Sequence, residues 1–501
     1  MTTSTAPLLT PQATVALRDA LLRHGYTRDG IVTRIGLEAA HALNRYDPGP
    51  ALRLLGEDDP LGVLIRLFMC GRGVPLVQVE EALVPLLEPA GEGQVRAAVY
   101  LHPYEKWWAV SDFPLFLRPE AHDRRADRVL PIGPTATLLR RALLTHRVGT
   151  ALDLGTGCGV QALHLSDQAA SVVATDLSHR AARFAATTAA LNGLDWEVLE
   201  GDMTQPVAGR RFDLVVSNPP YAVGPGTVHC VYRDSGRPGD TIGAELAAAA
   251  PDLLTEGGHL QFRANWAHVA GEDWRERVAH WLPAGGGLDA WIVQRGVTDA
   301  RAYVDHWLEQ SGGEEHLGQR EAWLRWFEDR KITGVGTGTV VLRRTDRHDP
   351  VVRIEELSPE AAELTGAQVA DWFTRQDWLR DHDPLTSRFR PGVGVRLWQE
   401  ASLRPEPDAA ARGWQLKQQL LKTPADGLNW NDRTTPLAVA LLGASGREDE
   451  TLGDHLTRLA EAEGTDRSRL VLAALPEVAR LVERGALVPE GLAGRVGEAP
   501  A

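Results

Sequence analysis

Apolar positions recur at helical spacing early in the chain. Val15, Leu17, Leu21 and Leu22 mark a helix over 13–23 that Gly25 closes. Further apolar runs predict helices over 61–68 and 78–87. The period then drops to two: 95–102 and 107–110, on either side of Pro103-Tyr104, read as a β-hairpin. Helices followed by a hairpin predict a winged-helix-like α+β domain over 1–120. From 121 to 350, short β-branched runs alternate with Ala-rich helical stretches, the pattern of βαβ units around a parallel sheet. The strands fall at 150–154, 171–175, 197–200, 214–217, 259–263, 290–294 and 339–343, with helices at 161–166, 179–192, 244–254 and 299–328, the last broken by Gly312-Gly313. Residues 351–501 predict a mainly helical α+β domain: a helix over 359–373, a hairpin of 393–400 with 414–420, and helices over 452–463, 467–474 and 475–484. Residues 494–501 are expected to fray.

Charge narrows the partners. The 501 residues carry 53 basic and 67 acidic side chains, a net of −14. Both flanking domains are acidic, with 11 basic against 14 acidic residues in 1–120 and 18 against 24 in 351–501. Nucleic-acid affinity rests on Lys and Arg contacts to phosphate, so the balance favours a protein or small target over naked nucleic acid. Cys70, Cys158 and Cys230 stand far apart, which predicts no metal site, no disulfide framework and a cytoplasmic location. No apolar run approaches the roughly 20 residues that span a bilayer. The first residues lack the basic and apolar regions of a signal peptide.

The chemistry concentrates at predicted strand ends. Asp153-Leu154-Gly155-Thr156-Gly157-Cys158-Gly159 leaves a strand and opens a helix. Such glycines turn the chain tightly, and the helix start offers free N–H groups. The spacing is Gly-x-Gly-x-Gly, not the dinucleotide fingerprint, so no pyrophosphate cradle is implied and a nucleoside sulfonium is favoured over NAD. Asp176 ends the next strand, where a carboxylate accepts hydrogen bonds from ribose hydroxyls. Asp202 ends the third, placed to receive an adenine amino group. The fourth feeds Asn218-Pro219-Pro220-Tyr221. Two prolines stiffen this turn, so the Asn218 amide oxygen and the Pro219 carbonyl can accept both hydrogens of a planar NH2. Tyr221 offers a face for stacking.

These motifs resemble class I S-adenosylmethionine-dependent methyltransferases of the small-methyltransferase group, most closely the protein glutamine-N5 (HemK-like) branch. Arg237-Pro238-Gly239-Asp240-Thr241 and the segment that follows it fit as well. The resemblance covers 130–345. It implies a seven-stranded Rossmann-like sheet with an antiparallel last strand, and S-adenosylmethionine as cofactor. It assigns Asp153, Gly155, Thr156, Gly157, Gly159, Asp176, Leu177, Asp202, Met203 and Asn218 to cofactor binding, with Leu177 and Met203 flanking adenine. Asn218, Pro219 and Tyr221 are the catalytic candidates. The implied reaction is methyl transfer to a glutamine side-chain amide of a protein. The motif is shared with adenine-N6 and guanine-N2 methyltransferases of RNA or DNA, which is the alternative. A non-catalytic regulatory protein on the same fold is the third reading, against which the intact acidic positions speak. Residues 222–240 read as a lid, with His229 and Tyr232 as minor catalytic candidates. Pro131–Pro134 reads as a cover for the methionine end of the cofactor. Of Trp107 and Trp108, adjacent on a strand, one is expected to be exposed.

Overall fold

The computed structural model describes residues 4–56, 59–115, 117–118, 125–308, 314–358, 361–403, 414–423, 428, 430–444 and 450–492. It divides into two compact units, residues 1–140 with 146–355, and residues 141–145 with 356–501.

The first unit is built on an eight-stranded sheet. Its strands are β1 (Val148–Leu154), β2 (Ala169–Asp176), β3 (Trp196–Glu200), β4 (Phe212–Ser217), β5 (Leu254–Val269), β6 (Leu288–Asp299), β7 (Ile332–Arg344) and β8 (Val352–Glu356). They lie in the order β8-β6-β7-β5-β4-β1-β2-β3. All seven expected strands are present, and β7 runs antiparallel to both β5 and β6. The sheet is that of class I methyltransferases, with β8 added at one edge. Residues 352–356 follow the Pro350 break and read from sequence as the start of the next domain, which is why β8 was not expected.

The central strands are apolar because both faces are covered: Leu152, Leu214 and Val215 have no exposed surface. Connections leave β1 toward β2 on one side and β4 lies on the other, so the strand order reverses beside β1. In open α/β sheets this reversal opens a crevice at the carboxyl ends of the strands. Every cofactor and catalytic candidate except Asp153, on β1 itself, follows or terminates one of those ends.

The amino-terminal part packs on this sheet's helix His179–Asn192. That helix starts at Ser178, whose side chain accepts from the Ala181 N–H, and ends at Gly193 with φ +66°. The hairpin Tyr100–Tyr104 with Trp107–Ser111 docks on it. The Asn192 amide takes the Trp108 N–H at 3.0 Å and donates to the Trp108 carbonyl at 2.7 Å. Residues 94–97 belong to a separate three-stranded sheet rather than to the hairpin. The docking corrects the expectation of one exposed tryptophan. Trp107 and Trp108 are both buried. Trp107 lies edge-on to His164, and the Trp108 indole donates to the Tyr26 carbonyl at 2.7 Å. The helical stretch Arg28–Asn44, two segments joined at a kink at Gly36 with φ +78°, was not expected. The stretch 78–87 is instead a short 3₁₀ helix, Glu81–Leu86, closed by Pro85.

In the second unit, helix Gly366–Asp381 begins with a reciprocal Thr365–Gln368 capping box. The strands Arg396–Leu403 and Trp414–Thr423 pair as a hairpin, and Trp430–Arg433 extends it. Helices Pro436–Ala444, Leu452–Glu463 and Arg467–Glu483 complete it. The last is one helix through Pro476, where two were expected. Pro476 has no N–H to offer the Leu472 carbonyl, and Leu472 is exposed. Residues 312–313 and 494–501 lie outside the described residues.

Candidate active site

The turn after β1 is set by backbone geometry. Gly155, Gly157 and Gly159 all have positive φ, at +77°, +57° and +86°. Around Gly155 and Gly157 a β-carbon would meet nothing within 4 Å, so these two border open space. Gly159 differs, since a β-carbon there would sit 2.8 Å from the Trp196 ring. The Gly155 and Thr156 N–H groups both donate to the Thr175 carbonyl at 2.9 Å, tying the turn to the end of β2.

Asp153 supports this turn from below. It is fully buried. One carboxylate oxygen accepts from the Thr156 hydroxyl at 2.6 Å and from the Ala162 N–H at 3.0 Å. The other, Oδ1, has no partner. Burial pushes the carboxyl up to about 7, against those two hydrogen bonds.

Asp176 links two strand ends. Its oxygens accept from the Gly157 and Ser178 N–H groups, each at 2.9 Å. Burial raises its carboxyl above the ordinary range, opposed by the backbone N–H groups of Ser178, Gly157 and Leu177. Leu177 is exposed beside it, and Met203 is half-buried with φ +46°. Asp202 accepts from Arg237 Nη2 at 2.9 Å, while Arg237 Nε binds Glu245 at 2.5 Å. That arginine bridge was not foreseen from the sequence.

Asn218 follows β4, its side-chain Oδ1 buried and without a partner. Pro219 is buried and Pro220 half-buried. Tyr221 meets Trp307 edge-on, with ring centroids 6.2 Å apart. The turn is anchored behind by Tyr303, whose hydroxyl accepts from the Val223 N–H at 2.8 Å and from Asn265 at 2.9 Å. The Trp323 indole donates to the Val223 carbonyl at 3.0 Å. Neither Tyr303 nor Trp323 belongs to a recognisable motif, and each lies far along the chain from Val223.

Segment 222–240 folds back on itself. Gly239 N–H donates to the Gly224 carbonyl at 2.8 Å. Arg233 is buried, bonded to Asp234 through two nitrogens at 2.7 and 2.9 Å and to the Trp307 carbonyl at 2.9 Å. Between this segment and helix Glu314–Asp329 lies a cavity of about 280 Å³, bordered by Gly224, Arg233, Arg237 and Trp323. His229 is exposed on its rim, and Tyr232 is half-buried, with burial pushing its phenol up to about 12. Among the described residues, no group of three or more His, Cys, Asp or Glu is placed to hold a metal ion, and no helix is long and apolar enough to cross a membrane.

The fold is that of a class I methyltransferase domain, with a glycine turn, two acidic strand ends and an Asn-Pro-Pro-Tyr turn at the carboxyl ends of β1 to β4. Comparison with known proteins agrees. Residues 132–272 match the family described as "Methyltransferase small domain". Residues 23–98 and 370–489 match two families described as domains of unknown function, DUF7059 and DUF7782. A release factor glutamine methyltransferase of Xylella fastidiosa (strain 9a5c) is 37% identical over 154 residues, covering 28% of this chain and 56% of that protein. A ribosomal RNA small subunit methyltransferase C of Actinobacillus succinogenes is 37% identical over 130 residues, covering 26% of this chain and 35% of that protein. The solved T. Thermophilus 16S rRNA N2 G1207 methyltransferase (RsmC), in complex with AdoMet and guanosine, is 14% identical, covering 52% of this chain and 57% of that one at a TM-score of 0.28. The chain therefore spans about half the length, or less, of these curated relatives.

Proposed function

We propose that residues 121–350 catalyse methyl transfer from S-adenosylmethionine to a planar NH2 nitrogen, and that the acceptor is a glutamine side-chain amide of a protein. The observation that carries this reading is the Asn218 Oδ1, a buried acceptor with no partner at the tip of β4. A buried acceptor left unmade costs about 1–3 kcal/mol, and an incoming N–H removes that cost.

The residues present fit the cofactor. The open space over Gly155 and Gly157 receives it, Asp176 takes the ribose hydroxyls, Asp202 the adenine amino group, and Leu177 and Met203 flank the ring. When bound, the cofactor supplies an electrophilic methyl group. The chain's own part is to orient the nucleophile. Asn218 Oδ1 and the Pro219 carbonyl accept the two N–H hydrogens, which turns the nitrogen lone pair toward the crevice. They also stabilise the positive charge that grows on nitrogen during attack. Tyr221 supports the planar group by stacking. The methylated nitrogen then releases its proton to water, so no strong base is required of His229 or Tyr232. The three free thiols fit a cytoplasmic setting.

A nucleic-acid amine is the second reading, favoured by the relative named as a ribosomal RNA methyltransferase. Labelled-methyl transfer into a cell extract, followed by protease and nuclease digestion in parallel, separates the two. Label released by protease supports the amide reading, and label released by nuclease replaces it. No incorporation into any substrate class leaves the non-catalytic reading standing.

A further inference from the structure

This acidic chain holds a strongly basic cavity. It measures about 360 Å³ and is lined by Arg96, Arg118, Arg125, Arg128 and Arg180. Among the described residues, the carboxylates that line it with them are Glu88 and Asp112. None of the cofactor or catalytic candidates borders it.

The two carboxylates are already engaged. Glu88 Oε1 holds Arg96 Nε at 2.7 Å and lies 3.5 Å from Arg118 Nη1. Asp112 binds Arg180 through both oxygens and also accepts from the Val129 N–H at 2.8 Å. Arg125 pairs with Asp127 at 2.8 Å, outside the cavity wall. Arg118 shares the Glu88 carboxylate with Arg96. Its side chain is 11% exposed, it lies 3.9 Å from the centre of the Phe113 ring, it donates to the Ala97 carbonyl, and its Nε has no partner. Burial and the neighbouring Arg96 charge pull its guanidinium down to about 10.

A buried cation without full counter-charge is costly unless an anion joins it. Guanidinium forks match oxyanions in geometry as well as charge. A carboxylate brings one negative charge and two oxygens. A phosphate brings up to two charges and more acceptor oxygens, which suits a wall where Arg96 and Arg118 share the single carboxylate of Glu88. We propose that this cavity is a binding site for a phosphate group, distinct from the methyl-transfer crevice. The phosphate belongs either to an RNA chain or to a small phosphoester. The site stands on its own residues, whichever acceptor the crevice takes.

The test is calorimetric titration of the full chain with inorganic phosphate, with acetate as control. Saturable phosphate binding that acetate does not displace is expected. Arg118→Met should weaken it about tenfold or more, the loss of one charge-assisted contact. Because Arg118 also packs on Phe113, Arg125→Gln serves as a second variant on a more exposed side chain, expected to weaken phosphate binding while S-adenosylmethionine affinity is unchanged. Displacement of phosphate by a single-stranded oligoribonucleotide assigns the source to RNA, and displacement by a nucleoside monophosphate alone assigns it to a small phosphoester. Absence of saturable binding, equal competition by acetate, or indifference to both substitutions overturns the site.

Discussion

Asp176 accepts a 2.9 Å hydrogen bond from the Gly157 N–H, so the ends of β1 and β2 share one carboxylate. The residue proposed to hold the ribose also fixes the glycine turn beside it. Asp176→Ala should therefore weaken S-adenosylmethionine binding by about 1.5–3 kcal/mol, the range for hydrogen bonds to a charged group, or roughly ten- to a hundredfold in Kd. Isothermal titration reads this directly. An unchanged Kd would remove Asp176 from the cofactor site.

Asp153 gives a prediction in pH. Its folded-state carboxyl is raised to about 7 by burial, above the roughly 3.9 of an unfolded aspartate. Between these values the folded state holds a proton that the unfolded state has lost. Stability then falls as pH rises, with the loss complete above about 7. Asp153→Asn cannot ionise and lacks this slope. The melting temperature of the variant relative to the native chain should climb from pH 4 to pH 7 and level off beyond. A constant difference across that interval would mean that Asp153 is not the titrating group.

The strand ends were legible because each is a local signature: a glycine turn, an acid closing a strand, a proline-stiffened Asn. The pattern also marked seven of the eight strands of the sheet, since buried strands are continuous apolar runs. What escaped was held by contacts distant along the chain. Arg237 reaches Asp202 across 35 residues, Tyr303 reaches Val223 across 80, and Trp323 reaches Val223 across 100. No spacing encodes such partners. Trp107 and Trp108 escaped for a related reason: strand alternation assumes one solvent face, and the docking of their hairpin on helix His179–Asn192 removes it. Arg118 gave no signal because a basic cavity depends on which arginines the fold gathers, not on the net charge of the chain.

Two glycines of one turn should respond differently to alanine. At Gly159 a β-carbon meets the Trp196 ring at 2.8 Å and φ is +86°. Left-handed backbone costs an L-residue about 1–2 kcal/mol, and overpacking a core typically adds about 1–3. Gly159→Ala should lower the urea midpoint of the chain clearly. At Gly157 the β-carbon enters open space, so Gly157→Ala carries only the backbone cost while narrowing the proposed cofactor hollow. It should keep most of its stability and lose S-adenosylmethionine affinity. Equal stability of the two variants would contradict the packing described for Gly159.

Asn218 decides whether the crevice does chemistry. Its Oδ1 is buried and unpartnered, and its proposed partner is an acceptor N–H rather than the cofactor alone. Asn218→Ala deletes that oxygen without touching the glycine turn or Asp176. Cofactor affinity should stay within about threefold of the native value. Methyl transfer should fall by about a hundredfold or more, the scale reported for removal of a preorganised electrostatic contact in a transition state. The two readouts separate the alternatives. If binding and turnover fall together, Asn218 holds the cofactor. If turnover survives at native rate, the amide-and-carbonyl clamp is not how this domain orients nitrogen, and the buried oxygen needs another explanation. Tyr303→Phe sharpens the same question. It removes the hydroxyl that accepts from the Val223 N–H while leaving Asn218 in place. A positioning role predicts a smaller loss of turnover than Asn218→Ala and the same cofactor affinity.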